Sequence, residues 1–289
     1  MKLDSIDLRK AFSEKPPELD FVWSGFLAGT VGALVAPGAT GKSFWALEAA
    51  MAVACNVSEG DLLQLNPKHH GRVVYLAGED PHAALKNRLH AIGQYLSPTA
   101  REDIAENLSL VPTVGSRLDV MADNQLKSII ELCSGSRLVV LDTLSRIHQL
   151  DENSNSDMAQ LVSQLEHIAV KTGATILFLH HVNKGSAREG QTDQQQAARG
   201  ASALIDNARW CGFVAKMTDH EAESLSDRVD GSAIGADQRG YFLRFGISKQ
   251  NYGIQLPDMW FKKHDGGVLI PTSLRKSRKT GKGMQREVA

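Results

Sequence analysis

The feature that most constrains the fold of this chain is a glycine-containing segment that lies between an apolar run and an alanine-rich run. It extends from Val35 to Ser43 and contains Gly38, Gly41 and Lys42. Where such a segment joins a strand to a helix, its backbone N–H groups can converge on a phosphate, and the helix N-terminus adds partial positive charge. The segment therefore predicts a phosphate-binding loop after the first strand of a sheet.

The chemistry of the side chains sets their expected roles in this loop. The Lys42 amine is expected to reach the β- and γ-phosphates of ATP, and the Ser43 hydroxyl is expected to bind Mg²⁺. Ala36 stands where the motif usually begins with glycine. The alternative interpretation of the segment is a glycine-rich turn with a purely structural function. The predicted nucleotide-binding residues of the loop are Pro37, Gly38, Ala39, Thr40, Gly41, Lys42 and Ser43.

The rest of the chain alternates short β-branched apolar runs with longer stretches of helical periodicity. This is the pattern of a parallel sheet flanked by helices, and the continuous apolar runs indicate strands that are covered on both faces. The predicted fold is α/β, with a mostly parallel central sheet flanked by helices and with C-terminal antiparallel strands. The first five strands are predicted at residues 31–35, 73–76, 108–111, 138–141 and 175–179. The C-terminal strands are predicted within residues 201–216, 241–248 and 260–270, joined by turns such as the one at residues 265–267.

Composition narrows the class of protein further. Of the 289 residues, 42% are hydrophobic and 22% are charged, as in soluble globular proteins. The 32 basic and 33 acidic residues nearly cancel, so overall charge does not indicate a nucleic-acid partner. Three cysteines without a C-x-x-C pair, no signal-peptide pattern and no run of about 20 apolar residues predict a cytoplasmic protein without a membrane span. We expect an N-terminal arm at residues 1–20, one ATPase domain at 21–274 and a basic flexible tail at 275–289.

Acidic residues follow two of the predicted strands, at the edge where such sheets bind ligands. Asp142 comes directly after residues 138–141 and is expected to hold Mg²⁺ through water, although an acid in this position can also cap a helix. Glu79 and Asp80 follow residues 73–76. For Asp80, which precedes Pro81, contact with the metal and capping of the next helix are both open.

Residues 76–80 and 177–183 resemble the corresponding motifs of RecA-like ATPases. The resemblance implies that Glu79 is the general base that polarises the attacking water. It also implies that His181 senses the γ-phosphate, with His180 as the second choice, while a structural histidine remains the alternative. A metal site shared by the two histidines is not favoured, because adjacent side chains on a strand point to opposite faces.

A closer resemblance covers nearly the whole chain. It is carried by residues 19–35, 77–81, 141–144, 178–181, 193–197, 199–200, 206–210, 239–245 and 248–253. In these segments the sequence resembles the RepA-type hexameric replicative helicases of broad-host-range mobilisable plasmids. The resemblance implies a homo-hexameric ring of RecA-like subunits that moves along single-stranded DNA and unwinds duplex DNA at a plasmid origin. It also implies that the initiator and the primase are separate chains.

The same resemblance implies functions for two sets of basic residues outside the phosphate loop. Arg209 is the candidate for an arginine that completes the nucleotide site of the next subunit. DnaB-type motors use a Lys-x-Arg pair on a later strand for this purpose. Here Lys249 matches the lysine of that pair, but Asn251 stands in place of the arginine. A surface salt bridge is the alternative for Arg209. The polar loop that follows the histidines would line the channel and contact DNA phosphates, or it is only a solvated loop. Its candidate DNA-binding residues are Lys184, Arg188 and Arg199.

Two other classes of function compete with the helicase hypothesis. One is a RecA-like regulatory or recombination ATPase that binds DNA without unwinding it. The other is an ATP-dependent structural adaptor whose turnover does not respond to DNA. Strand displacement separates the helicase from both alternatives, and stimulation of hydrolysis by DNA separates the two alternatives from each other.

Overall fold

A nine-stranded sheet forms the centre of the computed structural model, which describes residues 5–182, 202–253 and 256–278. The strands are β1 (Phe21–Trp23), β2 (Phe26–Leu27), β3 (Val31–Ala36), β4 (Val73–Ala77), β5 (Leu108–Pro112), β6 (Leu138–Asp142), β7 (Thr175–His181), β8 (Trp210–Lys216), β9 (Leu225–Ser226), β10 (Phe242–Gln250), β11 (Met259–Lys263), β12 (Leu269–Pro271) and β13 (Arg275–Lys276). The helices are α1 (Leu8–Ser13), α2 (Lys42–Ala54), α3 (His82–Gly93), α4 (Pro98–Asn107), α5 (Asp123–Cys133), α6 (Asn155–Thr172), α7 (Ser202–Asn207) and α8 (Asp219–Ser224).

The order of strands in the large sheet is β12-β11-β10-β8-β3-β7-β6-β4-β5. The six strands from β8 to β5 in this order are parallel, and β10, β11 and β12 extend the sheet in antiparallel pairs. The predicted fold class is confirmed. The phosphate-loop strand β3 lies inside the sheet, between β7 and β8, so the ends of several strands meet beside the loop.

Two apolar layers cover the sheet, because successive residues of each strand point to opposite faces. In β3, Leu34 and Ala36 join the layer that contains α2 and α4, whereas Val31, Ala33 and Val35 join the layer that contains α5 and α6. Every residue of β3, β4 and β6 is buried. This is why these strands have continuous apolar sequences.

Aromatic side chains fix the start of the domain against the phosphate-loop helix. The β1–β2 hairpin contributes Trp23 and Phe26, whose rings lie against Trp210 of β8. Trp23 also meets Trp45 of α2 edge to face, with ring centres 5.9 Å apart. The position of α2 is therefore set by packing that begins 20 residues before it in the sequence, at about residue 22.

The structure corrects one sequence prediction near the C-terminus. Residues 202–207, predicted as part of a strand, form α7, and β8 begins only at Trp210. The buried residues Leu204 and Ile205 pack in the layer that contains α6, and a short apolar run of this kind does not distinguish a helix from a strand. The segment predicted at 260–270 forms the antiparallel strands β11 and β12, and the predicted turn at Asp265–Gly267 separates them.

The two predicted terminal segments differ from each other in the structure. Helix α1 of the arm has no buried residue, whereas Asp20 at the end of the arm pairs with Arg137, whose Nη2 lies 2.7 Å from Oδ1. Arg275 and Lys276, the first residues of the predicted tail, form β13 and pair with β9. Residues 279–289 lie outside the described part of the chain. No helix in the described ranges is long and apolar enough to cross a membrane.

Glu48 is a buried acid that joins α2 to the last strand of the large sheet. Its Oε1 accepts a hydrogen bond from the Leu269 N–H at 2.9 Å, and its Oε2 has no hydrogen-bond partner among the described residues. Burial raises the pKa of Glu48 to about 8, and the Leu269 N–H offsets this only in part. The protonated form is therefore the stable one in the folded protein at neutral pH.

We expect Glu48→Gln to change the dependence of stability on pH. Because the folded pKa of Glu48 lies above its unfolded value, wild-type stability is complete below about pH 4.5 and falls as pH rises toward 8. The glutamine variant lacks this ionisation, so its free energy of unfolding should gain about 3 kcal/mol on wild type between pH 5 and pH 8. Urea unfolding at both pH values measures the difference, with the exposed Glu102→Gln as the control. Parallel pH profiles for wild type and Glu48→Gln would contradict the prediction.

Candidate nucleotide site

The phosphate loop curls between the end of β3 and the start of α2. Gly41 has φ +114° and Ala39 has φ +57°, so the chain turns sharply at these two residues. The Thr40 hydroxyl donates a hydrogen bond to the Pro37 carbonyl at 2.7 Å and closes the turn. The 13-residue helix α2 follows directly, and its N-terminus faces the hollow of the loop.

The position of Ala36 explains why glycine is not required at the start of the motif. Ala36 is the last residue of β3, is buried, and pairs in parallel register with His181 of β7. Its φ is not positive, so an L-residue with a methyl side chain is not strained there. The structure thus retains the loop geometry with alanine in this place.

Lys42, Ser43 and Asp142 meet at the mouth of the loop. Ser43 Oγ donates to Asp142 Oδ1 at 3.2 Å, and Tyr75 Oη donates to Asp142 Oδ2 at 2.6 Å. Burial raises the pKa of Asp142, while Tyr75, Lys42 and Ser43 act in the opposite direction. Burial lowers the pKa of Lys42, and the carboxylates of Asp142 and Glu79 oppose that shift. Asp142 therefore contacts the phosphate loop through the Ser43 side chain, and among the described residues its carboxylate accepts no capping hydrogen bond from a backbone N–H.

The donor set suits a hard cation that shares its ligands with a phosphate. A hydroxyl oxygen and a carboxylate oxygen lie 3.2 Å apart at Ser43 and Asp142, and oxygen ligands are those that Mg²⁺ prefers. Within the described ranges, no group of three or more His, Cys, Asp or Glu residues could hold a metal ion. A cation at this place would thus depend on phosphate and water oxygens to complete its coordination.

Glu79 extends from the end of β4 toward the same mouth. The preceding Gly78 donates its N–H to the Asp142 carbonyl at 2.6 Å, which fixes the end of β4 beside the end of β6. Glu79 Oε2 lies 3.5 Å from His181 Nε2, and Oε1 lies 3.9 Å from Arg146 Nε. The side chain is 35% exposed, so water can reach the carboxylate.

The two histidines at the end of β7 have different environments. His181 is 40% exposed in its side chain, contacts Glu79 and lines the cavity beside the phosphate loop. His180 is buried, and burial, followed by the charge of Lys42, lowers its pKa to about 4. His180 is therefore a neutral imidazole inside the fold, whereas His181 faces the site.

Asp80 lies in the wall of the site but not against Ser43 or Asp142. Its Oδ2 accepts from Arg88 Nη1 at 2.6 Å, and the Arg88 guanidinium lies 5.1 Å from the centre of the Phe44 ring. The N-cap of α3 is Pro81, without a side-chain capping hydrogen bond, so the capping hypothesis for Asp80 is wrong. Its predicted contact with the metal stays a prediction.

The cavity at this mouth has a volume of about 350 Å³ and includes residues that sequence reasoning missed. Arg88 enters from α3, and Lys263 and Gly267 enter from β11 and the turn after it. Burial and the nearby Lys216 lower the pKa of Lys263. No sequence motif marks these residues. The lining residues are Pro37, Ala39, Thr40, Gly41, Lys42, Ser43, Phe44, Glu79, Asp80, Arg88, His181, Lys263 and Gly267.

Arg209 lies at the opposite end of the sheet from the phosphate loop of its own chain. It is exposed, its N–H donates to the Val31 carbonyl at 2.9 Å, and the next residue, Trp210, pairs with Gly32. Val31 and Ala36 are five residue steps apart along β3, which corresponds to about 16 Å. Arg209 makes no ion pair with any residue in the described ranges, so the surface salt bridge weighed as its alternative is not seen there. Lys184, Arg188 and Arg199 lie outside the described residues.

The fold and the site together define a RecA-like P-loop NTPase. A strand-loop-helix phosphate site, a buried acid on β6 and a second acid after β4 meet at the carboxyl edge of one mostly parallel sheet. A family model described as an AAA domain matches residues 1–187, and the chain belongs to that family.

Two solved structures are similar to the chain as a whole. A DnaB-like replicative helicase, described with its interactions with primase, matches with a TM-score of 0.60 and 16% identity over 93% of this chain and 67% of that chain. The RadB recombinase matches with a TM-score of 0.48 and 14% identity over 85% of this chain and 90% of that chain. At 16% identity, the similarity to the DnaB-like helicase shows the fold alone.

Proposed function

We propose that this protein is an ATP-dependent, ring-shaped DNA helicase that moves along single-stranded DNA and unwinds duplex DNA during plasmid replication in the cytoplasm. The observation that carries the proposal is the contact between Glu79 and His181 beside the phosphate loop, at 3.5 Å. It joins a candidate catalytic base to the residue from which the predicted DNA loop continues.

Each residue at the mouth of the loop has a task that its chemistry allows. Bound ATP would supply the γ-phosphoryl group, and Mg²⁺ would neutralise charge on the phosphate oxygens. Lys42 and the N–H groups of the loop would hold the phosphates, while Ser43 and Asp142 would hold the metal, Asp142 through water. Glu79 orients and polarises the attacking water, because its carboxylate is partly exposed and stands beside both Lys42 and His181.

The link to DNA follows from the order of residues along the chain. His181 ends β7, and the polar segment with Lys184, Arg188 and Arg199 comes directly after it. Loss of the γ-phosphate at His181 would be relayed to these residues, whose charges suit phosphate contacts without base recognition. The RecA-like fold and the site support this arrangement. The initiator and the primase would be separate chains.

The position of Arg209 favours a ring. An arginine about 16 Å from the phosphate loop of its own chain cannot contact a nucleotide there, so its partner would be a nucleotide held by a neighbouring copy. A closed homo-hexamer would give each of six sites one such arginine, since cyclic assembly repeats the same contact. We therefore assign the finger role to Arg209 of the adjacent subunit.

Strand displacement tests the proposal most directly. We expect wild type to displace the strand of a forked, tailed duplex in the presence of ATP and Mg²⁺, and to hydrolyse ATP faster when single-stranded DNA is added. DNA-stimulated hydrolysis without displacement would instead identify a regulatory or recombination ATPase. Hydrolysis that ignores DNA would identify the structural adaptor and would contradict the proposal.

A further inference from the structure

Lys249 of β10 is bonded to the end of helix α7. Its Nζ donates to the Ile205 carbonyl at 3.0 Å and to the Asp206 carbonyl at 2.7 Å. Both carbonyls belong to the last turn of α7, where a helix has no N–H groups of its own to bond them. A lysine side chain can satisfy such carbonyls, and the sequence of α7 contains no basic residue that could do so. The cap of α7 is therefore supplied by a different part of the fold.

The course of the chain after α7 explains why these carbonyls are open. In a continuing helix, the Arg209 N–H would bond to the Ile205 carbonyl. Here that N–H donates to the Val31 carbonyl at 2.9 Å, and the next residue, Trp210, already belongs to β8. Only two residues separate the end of α7 from the start of β8, and Arg209 is the second of them. The backbone of Arg209 is thus held between the helix end and the sheet.

An irregularity in β10 accompanies the contact of Lys249 with α7. Ile247 pairs with Gly212, and Lys249 pairs with Cys211, so β10 has one residue more than β8 at this point. The extra residue is Ser248, whose hydroxyl donates to the Cys211 carbonyl at 3.2 Å. A bulge of this kind changes the direction of the side chains beside it. Lys249 therefore leaves the regular alternation of the strand where it reaches the helix.

Lys249 also lies within electrostatic reach of Arg209. Burial lowers the pKa of Lys249, the Asp206 carboxylate raises it, and the Arg209 guanidinium lowers it. Arg209 is exposed, as is the uncharged Asn251 two positions after Lys249. Arg209 is thus open to a neighbouring subunit, whereas the Lys249 amine is engaged by its own chain.

We propose that Lys249 is a positioning residue for Arg209, because it fixes the end of α7 and with it the backbone from which Arg209 extends toward the nucleotide of the adjacent subunit. The inference rests on the proposed function, since it requires Arg209 to act in trans. A lysine that itself contacted the phosphate of the next subunit would have to leave both carbonyls, and α7 would lose its cap. Lys249 therefore acts through Arg209 and not on the phosphate.

The experiment measures hydrolysis of radiolabelled ATP by full-length Lys249→Met, Arg209→Ala and the double variant. The control is Lys171→Met, which removes the same charge from an exposed lysine in the last turn of α6. We expect Lys249→Met to lower kcat about 10- to 100-fold and to leave KM for ATP within about twofold, because a misplaced Arg209 stabilises the transition state less while the phosphate loop is intact. Lys249→Arg should restore most of the rate, since a guanidinium also donates to two carbonyls.

The double variant separates positioning from direct contact. If Lys249 acts through Arg209, Lys249→Met should add less than about twofold to the loss in Arg209→Ala, because residues that act as a unit are not additive. A further loss of about 10- to 100-fold in the double variant would mean that Lys249 contacts the phosphate itself, and the inference would be wrong.

The remaining outcomes are equally distinct. A wild-type kcat for Lys249→Met, beside a slow Arg209→Ala, would refute the positioning role and leave the finger assignment intact. A fully active Arg209→Ala would refute both. Thermal unfolding shows whether the variants are folded, and Lys249→Gln, which keeps a polar side chain, takes the place of Lys249→Met in the same comparison if the methionine variant unfolds early. Strand displacement by wild type tests the helicase proposal independently of these outcomes.

Discussion

Replacing Lys42 with alanine is expected to reduce ATP hydrolysis by about 1,000-fold or more, the scale of losing a charge that stabilises phosphoryl transfer. Lys42 is the buried cation of the site, and Asp142 and Glu79 both lie close enough to oppose the burial effect on its pKa. Without its amine, the phosphate oxygens would lose the buried ammonium group that offsets the carboxylates of Asp142 and Glu79. Steady-state hydrolysis with saturating ATP and Mg²⁺ measures the effect.

Two further variants show whether the loss is specific to the site. Lys171→Ala removes an exposed lysine from the last turn of α6 and should hydrolyse ATP at the wild-type rate. Lys42→Arg should be nearly as inactive as Lys42→Ala, because a planar guanidinium does not replace a compact ammonium group in a closed loop. Thermal unfolding of each variant confirms that the fold is retained. Near-normal turnover by folded Lys42→Ala would overturn the assignment of the nucleotide site.

The second large effect is expected at Arg209. If this arginine completes the site of the adjacent subunit, Arg209→Ala alone should lose hydrolysis by about 10³-fold or more, as other trans-acting arginines do. A subunit with Lys42→Ala is inactive in its own site but still offers Arg209 to its neighbour. In rings mixed at equal ratio, about one quarter of the interfaces combine an intact Lys42 with an intact Arg209. Hydrolysis should therefore recover to about that fraction.

Separate purification and later mixing under conditions of subunit exchange provide the measurement. Rings of either variant alone give the baseline, and Arg101→Ala controls for the loss of an exposed arginine. Absence of recovery in rings that native mass spectrometry shows to be mixed would argue against action in trans. Full activity of Arg209→Ala would remove the residue from the mechanism.

The phosphate loop and Asp142 could be predicted because their signals are local. Both are short segments whose chemistry depends on the strand directly before them, and residues 35–43 and 138–142 contain that strand. That Glu79 and His181 belong to one site could be predicted only from the resemblance, because these residues are about a hundred positions apart in the sequence. Only the sheet order, with β6 and β7 between β4 and β3, places them together.

Other parts of the site could not be predicted from sequence for a physical reason. Lys263 and Gly267 reach the cavity because β10 and β11 extend the sheet past β8 and return the chain toward α2. Tyr75 holds Asp142 from the neighbouring strand, and a tyrosine in an apolar run looks like an ordinary core residue. Leu204 and Ile205 favoured a strand because two adjacent apolar residues suit either kind of element, and packing in the α6 layer decided for a helix.

The order of the strands also bears on how small a working version of this protein can be. The family match ends at residue 187, yet β8 lies beside β3 in the middle of the sheet, and the nucleotide cavity includes Lys263. A fragment cut at residue 187 would leave β3 as an open edge, with its backbone groups available to pair with other molecules. The recognisable motif is therefore smaller than the folding unit. Fragments and fusions of this protein need to keep the chain at least as far as β12, because β3 pairs with β8 and Glu48 of α2 is bonded to Leu269 of β12.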